Sequence, residues 1–213
     1  MWEARLVDLV KHTLAHEATG HDLAHSIRVR NLAERIALAE GGDIVVLVAT
    51  AYLHDLFRGD SENTNKSKTI GFARTALSQI SFPADRVPDV VDCIRYHSWS
   101  ERHSHPPDLS RNVLIFQDAD RLDAMGAFGI ARTFTYGGSI GRAIGIPHDA
   151  RLPLDTLEAE LETGNSTLDH FYSKLLLLEG SLSTGTAQQI AHDRHKYLES
   201  FLSRLTQEWN GEK

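Results

Sequence analysis

Apolar residues recur along this chain at spacings of three and four almost throughout, and glycine or proline interrupts them at intervals. The pattern predicts helices at roughly 2–18, 22–40, 43–57, 66–80, 84–97, 109–134, 166–180 and 184–209. Gly20, Gly41-Gly42, Gly59, Pro83 and Pro106-Pro107 supply the breaks. No alternating strand pattern with hairpin turns stands out, nor an internal repeat or a low-complexity tract. The expected fold is all-α, a helical bundle in one domain over residues 1–213, with a core at about 20–134 and C-terminal helices at 166–210.

Residues 135–155 break the pattern. Gly137, Gly138, Gly141 and Gly145 alternate with Arg142, Ile144 and Pro147, which reads as a long loop. Such loops serve as lids or as plain surface connections, and both readings stand here. The stretch lacks the Gly-Lys-Ser/Thr ending of a phosphate-binding P-loop. The last helix carries an amphipathic stripe (Ala187, Ile190, Ala191, Arg194, Tyr197, Leu198, Phe201, Leu202, Leu205) that faces the core or a second subunit, so a homodimer is one option. His192 and His195 flank that stripe and read as surface or partly covered histidines rather than ligands.

Composition narrows the class. With 213 residues, 41% apolar and 24% charged, the chain can build a core without cross-links. Cys93 is the only cysteine, which excludes an intramolecular disulfide and a zinc ribbon and suits a cytoplasmic setting. The longest strongly apolar run, Val45 to Leu53, is too short to span a bilayer, and the N-terminus shows no secretory pattern. A net charge of -7 without a long basic run disfavours binding to long nucleic acids, whereas a small phosphorylated substrate needs only a few local cations. The 12 histidines are an excess that only position can interpret.

Three segments place charge on apolar faces. In the second helix His25, Val29, Leu32, Ile36 and Ala39 share one face, which points His25 inward as a satisfied core histidine or a ligand. The third helix closes a very apolar run with His54-Asp55. Adjacent helical residues diverge by about 100°, so they reach one ion only at a seam between helices; otherwise they bond each other or cap the helix. In the third segment Val113, Phe116, Asp120, Asp123 and Ala127 share a face. A carboxylate buried there needs a cation, a salt bridge or a proton, and Arg121 is a rival neutraliser for Asp118 and Asp123. Two imidazoles and two carboxylates together form a mixed nitrogen–oxygen set that balances one divalent ion: Mn, Fe, Co, Ni, Zn or Mg.

The order His25, His54-Asp55, Asp120 resembles the HD superfamily of metal-dependent phosphohydrolases. The local wording is also similar: Gly20-His21-Asp22 ahead of His25-Ser-Ile-Arg28-Val29, then Ala51-Tyr-Leu-His54-Asp55, then Gln117-Asp-Ala-Asp120-Arg-Leu-Asp123-Ala. Asp169-His-Phe171-Tyr-Ser-Lys174 and Glu208-Trp209-Asn-Gly211 resemble a bacterial subgroup with activity toward nucleoside triphosphates, releasing pyrophosphate. The resemblance spans the chain and implies a single HD-type bundle with the metal in a central cleft, held by His25, His54, Asp55 and Asp120. Dinuclear HD proteins add two histidines between the doublet and the final aspartate. Here the segment Asn65 to Ala73 has none and Ile94-Arg95-Tyr96-His97-Ser98 supplies one, while His103 and His105 lie in a polar loop, so one metal is expected.

For catalysis the expectation is Asp55 at the metal, His97 as a substrate contact or proton donor (or as a cap of its own helix), and Lys66 and Arg28 as phosphate clamps. Arg121 binds phosphate or pairs with an aspartate. Asp22 and Asp123 orient ligating imidazoles, or Asp22 caps its helix, and Trp99 or Tyr96 stacks on a base or packs. The expected activity is nucleoside triphosphate pyrophosphohydrolysis on a small nucleotide, with a 5′-nucleotidase, a phosphodiesterase or a non-catalytic nucleotide-binding module as alternatives. An iron oxygenase fits less well, because its dinuclear site needs the histidine missing near Lys66.

Overall fold

The computed structural model describes residues 2–14, 20–57, 62–147 and 166–213. Among these residues the structure is helical without strands. Its α-helices are α1 (Trp2–Leu14), α2 (Leu23–Glu40), α3 (Ile44–Leu53), α4 (Glu62–Gln79), α5 (Val87–Tyr96), α6 (Arg111–Asp123), α7 (Gly126–Ser139), α8 (Asp169–Ser173) and α9 (Gly185–Trp209), with short 3-10 turns between some of them. Residues 15–18 of the first expected helix, Gly59 and the 148–155 part of the expected loop lie outside the described residues.

Caps place several of these boundaries. Asp22 accepts a hydrogen bond from the His25 amide and starts α2; Gly41, at a φ of 82°, ends it. Asp43 accepts from the Val45 and Val46 amides at the start of α3, and Ser110 and Thr184 cap α6 and α9 in the same way. α2 lies against both α3 and α6, so the three segments singled out by the sequence meet along one seam. One contiguous apolar core runs from Leu6 and Val10 through Val29, Ile36, Leu47, Leu53, Ile94, Phe116 and Leu122 to Phe171 and Leu198. Among the described residues no helix is long and apolar enough to cross a membrane.

Four sequence expectations need correction. α3 stops at Leu53 rather than running to 57, because His54 takes the capping position and the chain turns after it. The single helix expected over 109–134 is two, broken at Ala124–Gly126, where Gly126 adopts a φ of 68° that only glycine takes without strain. A Cβ on Gly126 would also lie 3.1 Å from Cγ of Arg194. α7 then continues to Ser139, so the loop expected from 135 starts helical and takes up Gly137 and Gly138. The helix expected over 166–180 is instead the short α8 followed by 3-10 turns at Leu175–Leu177 and Glu179–Ser181.

Candidate metal centre

His25 and His54 converge at the seam between α2, α3 and α6. Both side chains are fully buried, and their Nε2 atoms lie 3.2 Å apart. His25 Nδ1 sits 2.7 Å from Oδ2 of Asp123, and His54 Nδ1 sits 3.1 Å from the Ala51 carbonyl. A carboxylate and a carbonyl only accept, so each Nδ1 carries a proton and each Nε2 is left to take a proton or a metal ion. Two lone pairs this close repel unless a positive charge lies between them.

The carboxylates complete the arrangement. Oδ1 of Asp120 is 3.6 Å from Nε2 of His25 and 3.7 Å from Nε2 of His54. Oδ2 of Asp55 is 3.7 Å and 3.6 Å from the same two atoms. His25, His54 and Asp120 offer donor atoms that all lie within 4.8 Å of one another and could hold a metal ion. An ion about 2.1 Å from each donor would set neighbouring donors about 3 Å apart, close to the spacings present. Burial pushes the His54 pKa down, but the Asp55 and Asp120 carboxylates outweigh it and hold it above the usual imidazole value. The donor set therefore fits a divalent cation. Phe116 forms an apolar floor, its ring 5.2 Å from that of His54.

Behind the donors lies a second layer. The Asp123 carboxylate, 1% exposed, faces His25 Nδ1 and accepts from Arg28 Nε at 2.7 Å, Arg28 Nη2 at 3.1 Å and Arg132 Nη1 at 2.9 Å. Burial raises its pKa, but the His25 and Arg28 hydrogen bonds and the Arg132 charge outweigh this and keep it well below the usual carboxylate range. Such outer partners fix the tautomer and orientation of a ligating imidazole. Asp22 caps α2 at the His25 amide.

In front of the donors opens a cleft of about 590 Å³ whose walls include His21, Lys66, His97, Trp99, Arg121, Arg132 and Lys174. Nε2 of His97 stands 3.8 Å from Oδ1 of Asp55, while its Nδ1 bonds the Ile94 carbonyl at 2.8 Å, so it caps its helix and faces the centre at once. Lys66 reaches the cleft and pairs with Glu101. Arg121 is held by the Ser181 carbonyl at 2.6 Å and by Gln117 at 3.1 Å. Trp99 lines the cleft with the Arg102 guanidinium 3.6 Å from its ring centre, whereas Tyr96 packs against His105. Arg28 is not among the cleft-lining residues; its guanidinium lies on Asp123 and 4.3 Å from the Phe128 ring centre.

Asp118 does not face the centre. It accepts from the Ser183 amide at 3.0 Å and from the Thr184 amide and hydroxyl at 2.8 Å, tying α6 to the start of α9. Sequence reasoning gave no role to His21, Nε2 of which lies 3.9 Å from Oδ2 of Asp55, or to Arg132, Glu101 and Lys174. For His21 a signal existed, since it immediately precedes the cap of the ligand-bearing helix. Arg132 gave none.

An HD domain family model matches residues 22–125, the segment that contains all four converging side chains. An HD-superfamily hydrolase of Bacillus thuringiensis superposes with a TM-score of 0.69 at 33% identity, covering 98% of this chain and 96% of its own. The chain belongs to the HD superfamily of metal-dependent phosphohydrolases. YpgQ of Bacillus subtilis is 30% identical over 208 residues, which cover 95% of this chain and 91% of YpgQ. A structure of YpgQ in complex with ADP superposes with a TM-score of 0.68 at 27% identity over 98% of this chain and 97% of that one.

Proposed function

We propose that this HD protein hydrolyses nucleoside triphosphates to release pyrophosphate, using one divalent cation, manganese first among the candidates, held by His25, His54, Asp55 and Asp120. The carrying observation is the convergence of two Nε2 atoms 3.2 Å apart, flanked by two carboxylates, at the base of a cleft lined by basic side chains. The ADP seen in YpgQ supports a nucleotide as the occupant of such a cleft. When bound, the cation supplies Lewis acidity, acidifying a water and polarising the phosphoryl group.

The chain's own residues supply the rest. The two carboxylates offset the ion's charge, so the phosphates must be balanced from elsewhere in the cleft. Lys66 is placed for that once a phosphate displaces Glu101, and donors fixed in advance stabilise charge that grows in the transition state. Nε2 of His97 faces the same space and can exchange a hydrogen bond with a substrate oxygen. Arg28 holds Asp123 from behind the site. The buried Cys93, the only cysteine, suits a cytoplasmic setting.

The test is a product assay on chelator-stripped protein with nucleoside mono-, di- and triphosphates and bis(p-nitrophenyl) phosphate, adding back Mn, Mg, Co, Ni or Zn. Metal-dependent pyrophosphate release is expected, reduced by at least about 1,000-fold in Asp55→Ala and about 100-fold in Lys66→Ala. Orthophosphate as the only product would replace the pyrophosphohydrolase with a nucleotidase. Metal binding without turnover of any substrate would leave a binding module.

A further inference from the structure

Arg132 touches two parts of the site at once. Its Nη1 donates to Oδ2 of Asp123 at 2.9 Å and stands 3.2 Å from Nδ1 of His25, both atoms converging on the same carboxylate oxygen. Its side chain, 16% exposed, also forms part of the cleft wall. Arg28 reaches the same carboxylate but not the cleft. The two arginines thus hold one carboxylate, and only one of them can also meet a ligand in front of the metal centre.

Its placement depends on the chain path around it. After the turn at Gly126, α7 packs against α9 and α6, and the Arg132 stem lies against the backbone at Gly20, where a Cβ would sit 3.1 Å from Cγ of Arg132. Gly20 has a φ of 88°, so a larger residue there would be strained and would press on the Arg132 stem. A planar guanidinium carries five donors in a fixed fork, and one nitrogen on Asp123 leaves others for a phosphate oxygen.

We propose that Arg132 is a positioning residue joining the two halves of the site: it fixes Asp123, and through it the imidazole of His25, while the rest of its fork receives an anionic phosphate group in the cleft. This rests on the phosphohydrolase reading for the identity of the anion. It does not rest on turnover. Phosphate arrival and His25 orientation are linked through one rigid group, so metal affinity and phosphate affinity share a determinant.

The experiment measures two binding constants without catalysis: that of Mn, by electron paramagnetic resonance of the free ion, and that of a non-hydrolysable nucleoside triphosphate analogue at saturating Mn, by calorimetry. Circular dichroism confirms the fold of each variant. Arg132→Gln is expected to weaken Mn binding roughly 10- to 100-fold and analogue binding about tenfold. Arg28→Gln is expected to weaken Mn binding comparably and leave analogue binding unchanged. Arg132→Lys keeps the charge but not the fork, so it restores one constant at most, and it serves where the glutamine variant does not fold. Arg132→Gln with normal analogue affinity would reduce Arg132 to a support for Asp123, and normal Mn affinity would reduce it to a cleft cation; either result overturns the proposal. Absence of turnover in the wild type, with both constants behaving as stated, would sink the hydrolase reading and leave the linkage intact.

Discussion

Among the described residues, two places bring histidines and acidic groups together, and only one of them has the makings of a metal centre. Around His25 and His54 each Nδ1 is committed to an acceptor, each Nε2 faces the other, and both rings are buried, that of His54 against Phe116. Around His192 and His195 a single carboxylate is shared. Oε1 of Glu179 lies 3.1 Å from Nδ1 of His192, Oε2 lies 3.4 Å from Nδ1 of His195, and Glu199 stands 3.5 Å from the other nitrogen of His195. The His192 side chain is 60% exposed. There the rings face carboxylates rather than each other. Both regions combine imidazoles with carboxylates; the fixed tautomers and the apolar floor make the difference.

α6 permits the largest test of that contrast, because it carries Asp118, Asp120 and Asp123 in different surroundings. Asp123→Asn leaves two guanidinium groups facing a neutral amide and loses the fixed acceptor of His25 Nδ1. The expected result is a 10- to 100-fold loss of metal affinity together with about 3 kcal/mol of stability, read by metal titration and denaturant unfolding. Asp118→Ala strands the Ser183 and Thr184 amides and should lower stability by about 1–3 kcal/mol, with metal affinity unchanged in the folded fraction. A metal-affinity loss in Asp118→Ala would mean that the α6–α9 junction shapes the centre and that the separation drawn here is wrong.

The sequence shows one of these layers far better than the other. His25 and Asp120 were legible because a helical period places them on apolar faces, and the doublet because it ends an unusually apolar run. That period failed where the backbone leaves the helix. In an unbroken helix over 109–134, nine residues turn through about 900°, so Arg132 would face opposite Asp123 and stand about 13 Å further along the axis. The turn at Gly126 cancels both displacements and brings Arg132 Nη1 to 2.9 Å from Asp123. A lone glycine in an apolar helical pattern does not announce a reversal, so this partner of Asp123 stayed hidden. Lys174 was obscured for a related reason, since it lies where the expected helix over 166–180 gives way to 3-10 turns.

A smaller effect comes from a histidine that belongs to neither cluster. Burial, helped by the charges of Lys174 and Arg142, pushes the His170 pKa down to about 4. In the unfolded chain the imidazole titrates near about 6.5, so between these values the unfolded state binds more protons than the folded one. The stability associated with neutral His170 is thus complete above about pH 6.5 and is lost as pH falls toward 4, by at most about 3 kcal/mol. His170→Gln should flatten the pH dependence of unfolding across that window while leaving metal affinity at neutral pH unchanged. An identical slope in the variant would place the acid sensitivity in other groups.

The smallest expected effect bears most directly on the comparison. Glu179→Ala removes the carboxylate shared by His192 and His195. Exposed ion pairs are screened by water and lose in side-chain entropy much of what they gain in attraction, so the change should be below about 0.5 kcal/mol, a melting shift of roughly 1–2 °C. Manganese and zinc titrations should return the wild-type stoichiometry. A second binding step in the wild type that disappears in Glu179→Ala would show that an exposed imidazole, a partly covered one and a carboxylate are enough. Loss of that step would detach metal binding from the locked tautomers and apolar floor, and those two features are what separate His25 and His54 from His192 and His195.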